Sequence, residues 1–246
     1  MVRVCFCASI LLLILLPTSP LLAKASPVAL HTDTSEAFTA YAEGPEESGE
    51  AIVLVHDWFG VSPFYTEASE RLARAGYRVL AVDLYTGRTA TTHEEAQALL
   101  GSLDGELAGR KIDAAVKWLN NRPRKLAVMG FSMGAGHALA AALRNSAVQA
   151  TVLWYGPTTN DPDKLRRLSG PALLIVGSKD GSSAPENAAA FAKAADAAGS
   201  GAEVYVYPGA AHAFAQPLFN QGKTYDPVAA QVAWLLTEDF LRRRLR

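Results

Sequence analysis

MGFSMGAGHA, residues Met129 to Ala138, sets Ser132 between Gly130 and Gly134 at the end of an apolar run. Two readings compete for it: a nucleophile on a strained strand-to-helix turn, or a small polar residue that opens a helix. Gly-x-Ser-x-Gly is the spacing of a nucleophile elbow. With Gly and Ser each near ~7% of ordinary composition, it also arises by chance in roughly one chain in ten of this length. The residues around it have to decide.

Working outward, KLAVMG is an apolar strand leading into Ser132, and MGAGHALAAALRN is an Ala-rich helix behind it. Upstream, AIVLVHD and YRVLAVDLY are continuous apolar runs, as strands buried on both faces require. Between them FYTEASERLARAG places Phe64, Ala68, Leu72 and Ala75 at helical spacing, with Gly76 as the stop. From residue 26 the chain reads as a polar segment with an apolar patch at Ala37 to Tyr41, and GPEESGE then reads as a hairpin-like connection into the first run. The stretch from His93 to Asn121 reads as one helix, closed by Pro123. Downstream the alternation continues through VQATVLWYG, PALLIVGSKD, the helix PENAAAFAKAADAAG, the strand AEVYVYPG and a last helix from about Pro227 to Arg244. Strands alternating with helices predict an α/β fold, a mostly parallel central sheet with helices on both faces. Without repeat or linker, residues 26–246 form one domain.

The 246 residues are half hydrophobic and 19% charged, with a formal net charge of −1. That suits a globular chain and offers no basic field for nucleic acid or an anionic membrane. Arg242, Arg243, Arg244 and Arg246 read as cations at the negative end of the last helix. At the other end, Arg3, the apolar run Ile10 to Leu16, Pro17 and the small-x-small Ala23-Lys24-Ala25 read as a secretory signal peptide, residues 1–25. The run is too short to span a bilayer, so the expected product is secreted or periplasmic, cut after Ala25 and without stable membrane insertion; an uncleaved N-terminal anchor is the alternative. Loss of Arg3 and Lys24 moves the formal charge from −1 to −3. Cys5 and Cys7 leave with the leader, so no thiol remains as nucleophile or metal ligand.

In a sheet of this kind the ligand sits beyond the carboxyl ends of the strands. Asp57, Asp83, Ser132, Asp180 and His212 all fall at or just after such ends. A serine hydroxyl needs a base within hydrogen-bond reach and a carboxylate to orient that base. His212, in GAAHAF after the last strand, is the best base; His31, His56, His93 and His137 are placed less well. Asp180 is the best acid, ahead of Asp161, Asp163 and Glu186, although Asp-Gly is also a common turn pair. The order Ser132, Asp180, His212 is that of α/β-hydrolases. Acyl transfer builds charge on a carbonyl oxygen, and the backbone N–H groups of Met133 and Trp58 are the expected oxyanion donors.

Through VLVHDWFGVSPF, GYRVLAVDLYTGR, VMGFSMGAGHAL, LLIVGSKD and YPGAAHAF the chain resembles the dienelactone hydrolase family of the α/β-hydrolase fold. The resemblance covers nearly all of residues 26–246. It implies Ser132 as nucleophile, Asp180 as acid, His212 as base and Met133 with Trp58 around the oxyanion. It also implies that the acid at Asp57, next to the nucleophile, holds it at rest. The best-known members carry cysteine where this chain has Ser132 and glutamate where it has Asp57. They hold a substrate carboxylate with two arginines; here Arg88 is offset by one residue and Gln216 takes the second place, which disfavours dienelactone itself. Trp58, Phe59, Phe64, Tyr85, Trp154 and Phe214 are candidate pocket aromatics, Trp58 and Tyr85 foremost.

The expected function is cleavage of a small carboxylic ester or lactone through an acyl-enzyme, with no metal and no cofactor. An acyltransferase or peptidase on the same residues, and a non-catalytic binding protein that keeps the fold, are the alternatives. The sequence specifies no oligomeric state.

Overall fold

A computed structural model describes residues 25–246; the proposed leader, with Arg3, Cys5 and Cys7, lies outside the described residues except for Ala25. The chain runs β1 (Ser26–His31), β2 (Ala37–Glu43), β3 (Glu50–Val55), α1 (Pro63–Arg74), β4 (Arg78–Val82), α2 (His93–Gly101), α3 (Gly105–Leu119), β5 (Lys125–Phe131), α4 (Met133–Arg144), β6 (Val148–Trp154), α5 (Pro162–Leu165), β7 (Ala172–Gly177), α6 (Pro185–Ala198), β8 (Ala202–Tyr207), a 3-10 turn at Phe219–Gly222 and α7 (Pro227–Leu245).

The eight strands form one sheet in the order β1-β2-β4-β3-β5-β6-β7-β8. Pairing is parallel from β4 to β8, and antiparallel between β1 and β2 and between β2 and β4. The unbroken apolar strands β3, β5, β6 and β7 lie inside the sheet, since alternate residues of each meet a different layer. Val53, Val55, Val128 and Leu174 face Ile112 of α3, Leu139 of α4 and Phe191 of α6. Ile52, Leu54, Met129 and Ile175 face Leu72 of α1 and Trp234 and Phe240 of α7. Between the sheet and α7, the buried Trp154 indole N–H donates to Thr237 Oγ1 at 3.1 Å.

Three expectations need correction. The GPEESGE segment is not a hairpin connection: β2 pairs with β4, and the chain crosses the end of β4 to reach β3. At the crossing, Gly44 (φ +83°) lies so close that a Cβ would stand 2.1 Å from the Tyr77 carbonyl oxygen. A strand apolar on both faces gains more between two parallel neighbours than at the outside of a hairpin. Next, the stretch from His93 to Asn121 is two helices. Asp104 accepts from the Glu106 and Leu107 N–H groups and so starts α3 afresh, while Thr92 and Glu95 form a capping box on α2. Finally, SPVALH is the strand β1, an outer element whose mixed burial leaves little periodic signal.

The terminal arginines lie in the last turn of α7 and also anchor it. Arg243 and Arg244 pair with Glu203 at 2.7 and 3.0 Å, and Arg246 donates to the Ala75 carbonyl. Among the described residues no helix is long and apolar enough to cross a membrane.

Candidate active site

Ser132 sits between β5 and α4 with φ 51° and ψ −121°, a backbone that L residues avoid and that costs of order 1–3 kcal/mol. The turn is held by two close approaches. A Cβ on Gly130 would lie 2.1 Å from the Gly134 carbonyl oxygen, and one on Gly134 would lie 2.3 Å from that of His56. The Ser132 N–H donates to the Trp154 carbonyl at 2.8 Å. The strained turn projects the hydroxyl beyond the sheet, and the glycines bring α4 against the ends of β3 and β5.

Asp180 follows β7 and His212 follows β8. His212 Nδ1 lies 2.9 Å from Asp180 Oδ2, and its Nε2 lies 2.9 Å from Ser132 Oγ. The carboxylate only accepts, so Nδ1 carries the proton and Nε2 accepts from the hydroxyl. The other Asp180 oxygen accepts the N–H groups of Ser182 and Ser183, both at 2.8 Å. Thus the turn reading of Asp-Gly is also true: one oxygen builds the turn while the other orients the imidazole. The Asp180 side chain is fully buried, and that of His212 is 15% exposed, which leaves the base open toward solvent. Tyr155, a buried residue with φ 38°, packs its ring edge-on against His212 at 5.5 Å.

Met133 is the first residue of α4, where a backbone N–H has no intrahelical acceptor. Trp58 lies in the loop after β3. That loop is shaped by Asp57, whose Oδ1 accepts from the Phe59 N–H at 2.9 Å.

Asp57 is 2% exposed, and burial pushes its carboxyl up to about 6 against the lowering effect of its hydrogen bonds. Its Oδ2 accepts from Gln216 Nε2 at 3.1 Å. Its oxygens therefore serve the loop and Gln216, while the Ser132 hydroxyl is engaged by His212. The expected resting-state partnership with Ser132 gives way to one with Gln216, itself fully buried. Gln216 is thus turned onto Asp57 and the Leu218 N–H and not toward a substrate carboxylate.

Tyr85 and Arg88 are both engaged by their own surroundings. Tyr85 is 2% exposed, packs with Phe59, and donates its hydroxyl to Met133 Sδ at 3.5 Å. Arg88 is exposed, with Nε on the Tyr85 carbonyl and Nη2 toward Ser102 Oγ at 3.4 Å. The long side chain is thus bound to its own loop. Phe59, Trp154 and Phe214 are fully buried core residues, whereas Trp58 is half-buried.

Several residues escaped the sequence reading. His56, a rejected base, joins two strand ends: Nε2 accepts from the Leu84 N–H at 3.1 Å, and Nδ1 donates to the Asp57 carbonyl at 2.6 Å. Burial drives its imidazole down to about 4. Lys111, also buried, reaches the Leu84 carbonyl at 3.1 Å. Phe219 places its ring 5.5 Å from His212. The only sequence signal for it was the turn-rich PLFNQG seven residues past the histidine.

A model of the dienelactone hydrolase family matches residues 38–245. A Bradyrhizobium protein described as a "Probable 2-oxo-3-(5-oxofuran-2-ylidene)propanoate lactonase" is 29% identical over 229 residues, covering 85% of this chain and 91% of its own length. The crystal structure of a dienelactone hydrolase from Anabaena variabilis superposes with a TM-score of 0.65 at 24% identity, over 91% of this chain and all of that one. An acylaminoacyl peptidase of Pyrococcus horikoshii shares the fold at 14% identity and a TM-score of 0.69, over 90% of this chain and 42% of its own.

Proposed function

Because the chain belongs to the dienelactone hydrolase family, we propose that it is a serine hydrolase that cleaves a small carboxylic ester or lactone through an acyl-enzyme. The observation that carries this reading is the chain of two 2.9 Å hydrogen bonds from Asp180 through His212 to Ser132. The lactonase description of the Bradyrhizobium relative supports the substrate class.

In the proposed reaction Ser132 Oγ attacks the carbonyl carbon while His212 Nε2 takes its proton. Asp180 holds the ring in the required tautomer and stabilises the imidazolium. Charge gathers on the carbonyl oxygen, toward the Met133 and Trp58 N–H groups; one such donor is worth about 3–4 kcal/mol. Collapse breaks the C–O bond, and His212 returns the proton to the departing alkoxide, which in a lactone stays attached to the acyl chain. Water, deprotonated by His212, then attacks the acyl carbon and restores Ser132. With its leader removed after Ala25, the enzyme would act outside the cytoplasm.

The test is labelling with a fluorophosphonate probe followed by peptide mapping. The reading requires label on Ser132 and none in Ser132→Ala. A folded protein that takes no label refutes it.

A further inference from the structure

Three rings stand on one side of the Ser132–His212 pair. Trp58 in the loop after β3, His93 at the start of α2 and Phe219 in the segment before α7 meet one another. Trp58 and His93 are edge-on at 4.9 Å, His93 and Phe219 lie 5.1 Å apart, and Trp58 and Phe219 lie 5.9 Å apart. Phe219 also touches His212 edge-on. It therefore bridges the base and the loop that carries Trp58. Trp58 and Phe219 are half-buried and His93 is exposed, so the group keeps ring surface open beside His212.

The position of Phe219 is imposed by its surroundings. The Phe219 N–H donates to the Gln216 carbonyl at 3.2 Å, and the Leu218 N–H donates to Gln216 Oε1 at 3.2 Å. The other end of that amide donates to Asp57. Beyond Phe219, Asn220, Gln221 and Gly222 all have positive φ, at 48°, 55° and 76°. Two of these are non-glycine residues in a region they rarely occupy. The buried latch on Gln216 and this bent backbone together hold the ring beside His212.

Asp57 and Asp180 are buried carboxylates within the site, and Arg88 is spent on the Tyr85 carbonyl and Ser102. Gln216 is turned onto Asp57 and Arg88 onto its own loop, so neither is aimed at a substrate carboxylate. A flat ring would instead meet edges and faces suited to T-shaped and offset contacts, which saturated rings cannot make.

We infer that Phe219 is the specificity-determining residue of this site. With Trp58 and His93 it selects esters or lactones that carry an uncharged, flat aromatic or conjugated group over saturated or anionic ones. This rests on the hydrolase reading above.

The experiment compares matched pairs: benzyl acetate against cyclohexylmethyl acetate, and methyl phenylacetate against methyl cyclohexylacetate. The first pair varies the alcohol and the second the acyl group. In the wild-type protein the aromatic member of at least one pair has the higher kcat/KM, by about tenfold. A para-carboxylate on that aromatic ring lowers kcat/KM by at least about tenfold. Phe219→Leu brings the preferred pair to within about twofold, chiefly through KM, while Phe219→Tyr keeps the preference. Phe219→Met serves should the leucine variant fail to fold by circular dichroism. Equal rates within both pairs, or a preference that survives loss of the ring, overturn the inference while leaving the hydrolase reading in place. If Ser132 also fails to react with p-nitrophenyl acetate and the fluorophosphonate probe, both readings fall.

Discussion

Asp57→Asn should make the protein more stable in mild alkali and leave it nearly unchanged in acid, although it removes a hydrogen-bonded charge. Asp57 is buried, and its carboxyl is pushed from an ordinary 3.8 up to about 6. An acid with a raised folded-state value binds more protons native than unfolded between those two pH values. Its contribution is therefore best below pH 4, falls as pH rises toward about 6, and is flat above. At 1.36 kcal/mol per pH unit, the gap corresponds to about 3 kcal/mol of lost stability at pH 8. Asparagine does not titrate and escapes that loss, while its amide adds an offset that is the same at every pH. Neighbouring His56 acts with the opposite sign: burial holds it at about 4 against 6.5, so its contribution is lost as pH falls from 6.5 to 4. In the wild type the two trends largely cancel between pH 4 and 6. The assay is urea unfolding of both proteins at pH 4 and pH 8. The variant minus wild-type difference should move in the variant's favour by about 2.5 kcal/mol across that span. A difference that does not depend on pH refutes the argument that Asp57 is a destabilised buried acid.

Other outcomes follow from the same contacts. Asp180→Asn keeps an oxygen for the Ser182 and Ser183 N–H groups but turns an amide N–H toward His212, which forces the wrong tautomer. Steady-state kinetics should show kcat down by about 10^3- to 10^4-fold with the melting temperature little changed. Gly134→Ala drives a Cβ to 2.3 Å from the His56 carbonyl oxygen. It should cost about 2–3 kcal/mol in urea unfolding, and esterase activity should fall as α4 backs away from β3. N-terminal sequencing of the exported protein should begin at Ser26, where β1 starts.

What the sequence made legible was whatever is local and periodic. The apolar runs at β3, β4, β5, β6 and β7 and the stops at Gly76 and Pro123 needed only residues close in the chain. The Gly130-Ser132-Gly134 spacing became informative once Asp180 and His212 fell at other strand ends. What stayed hidden was decided by contacts across the fold. Asp57 and Gln216 are 159 residues apart, and only the fold shows that they bond to each other. Phe219 lies in a turn whose sequence gives no period, and its importance comes from the rings it meets. Arg88 could be placed near the site by its motif, but not aimed, because its length lets it bond to its own loop. The break between α2 and α3 was a local error of another kind. The helical period runs across Ser102 to Asp104, and the cap at Asp104 outweighs it.

The most direct test of the central claim is to trap the covalent intermediate. The protein is mixed rapidly with p-nitrophenyl acetate, quenched in acid, digested and examined by mass spectrometry. An acetyl group on the peptide that carries Ser132, formed at the rate of the p-nitrophenol burst and absent from Ser132→Ala, is the predicted result. Turnover with no acyl group on Ser132, or with the group on another residue, would contradict the account.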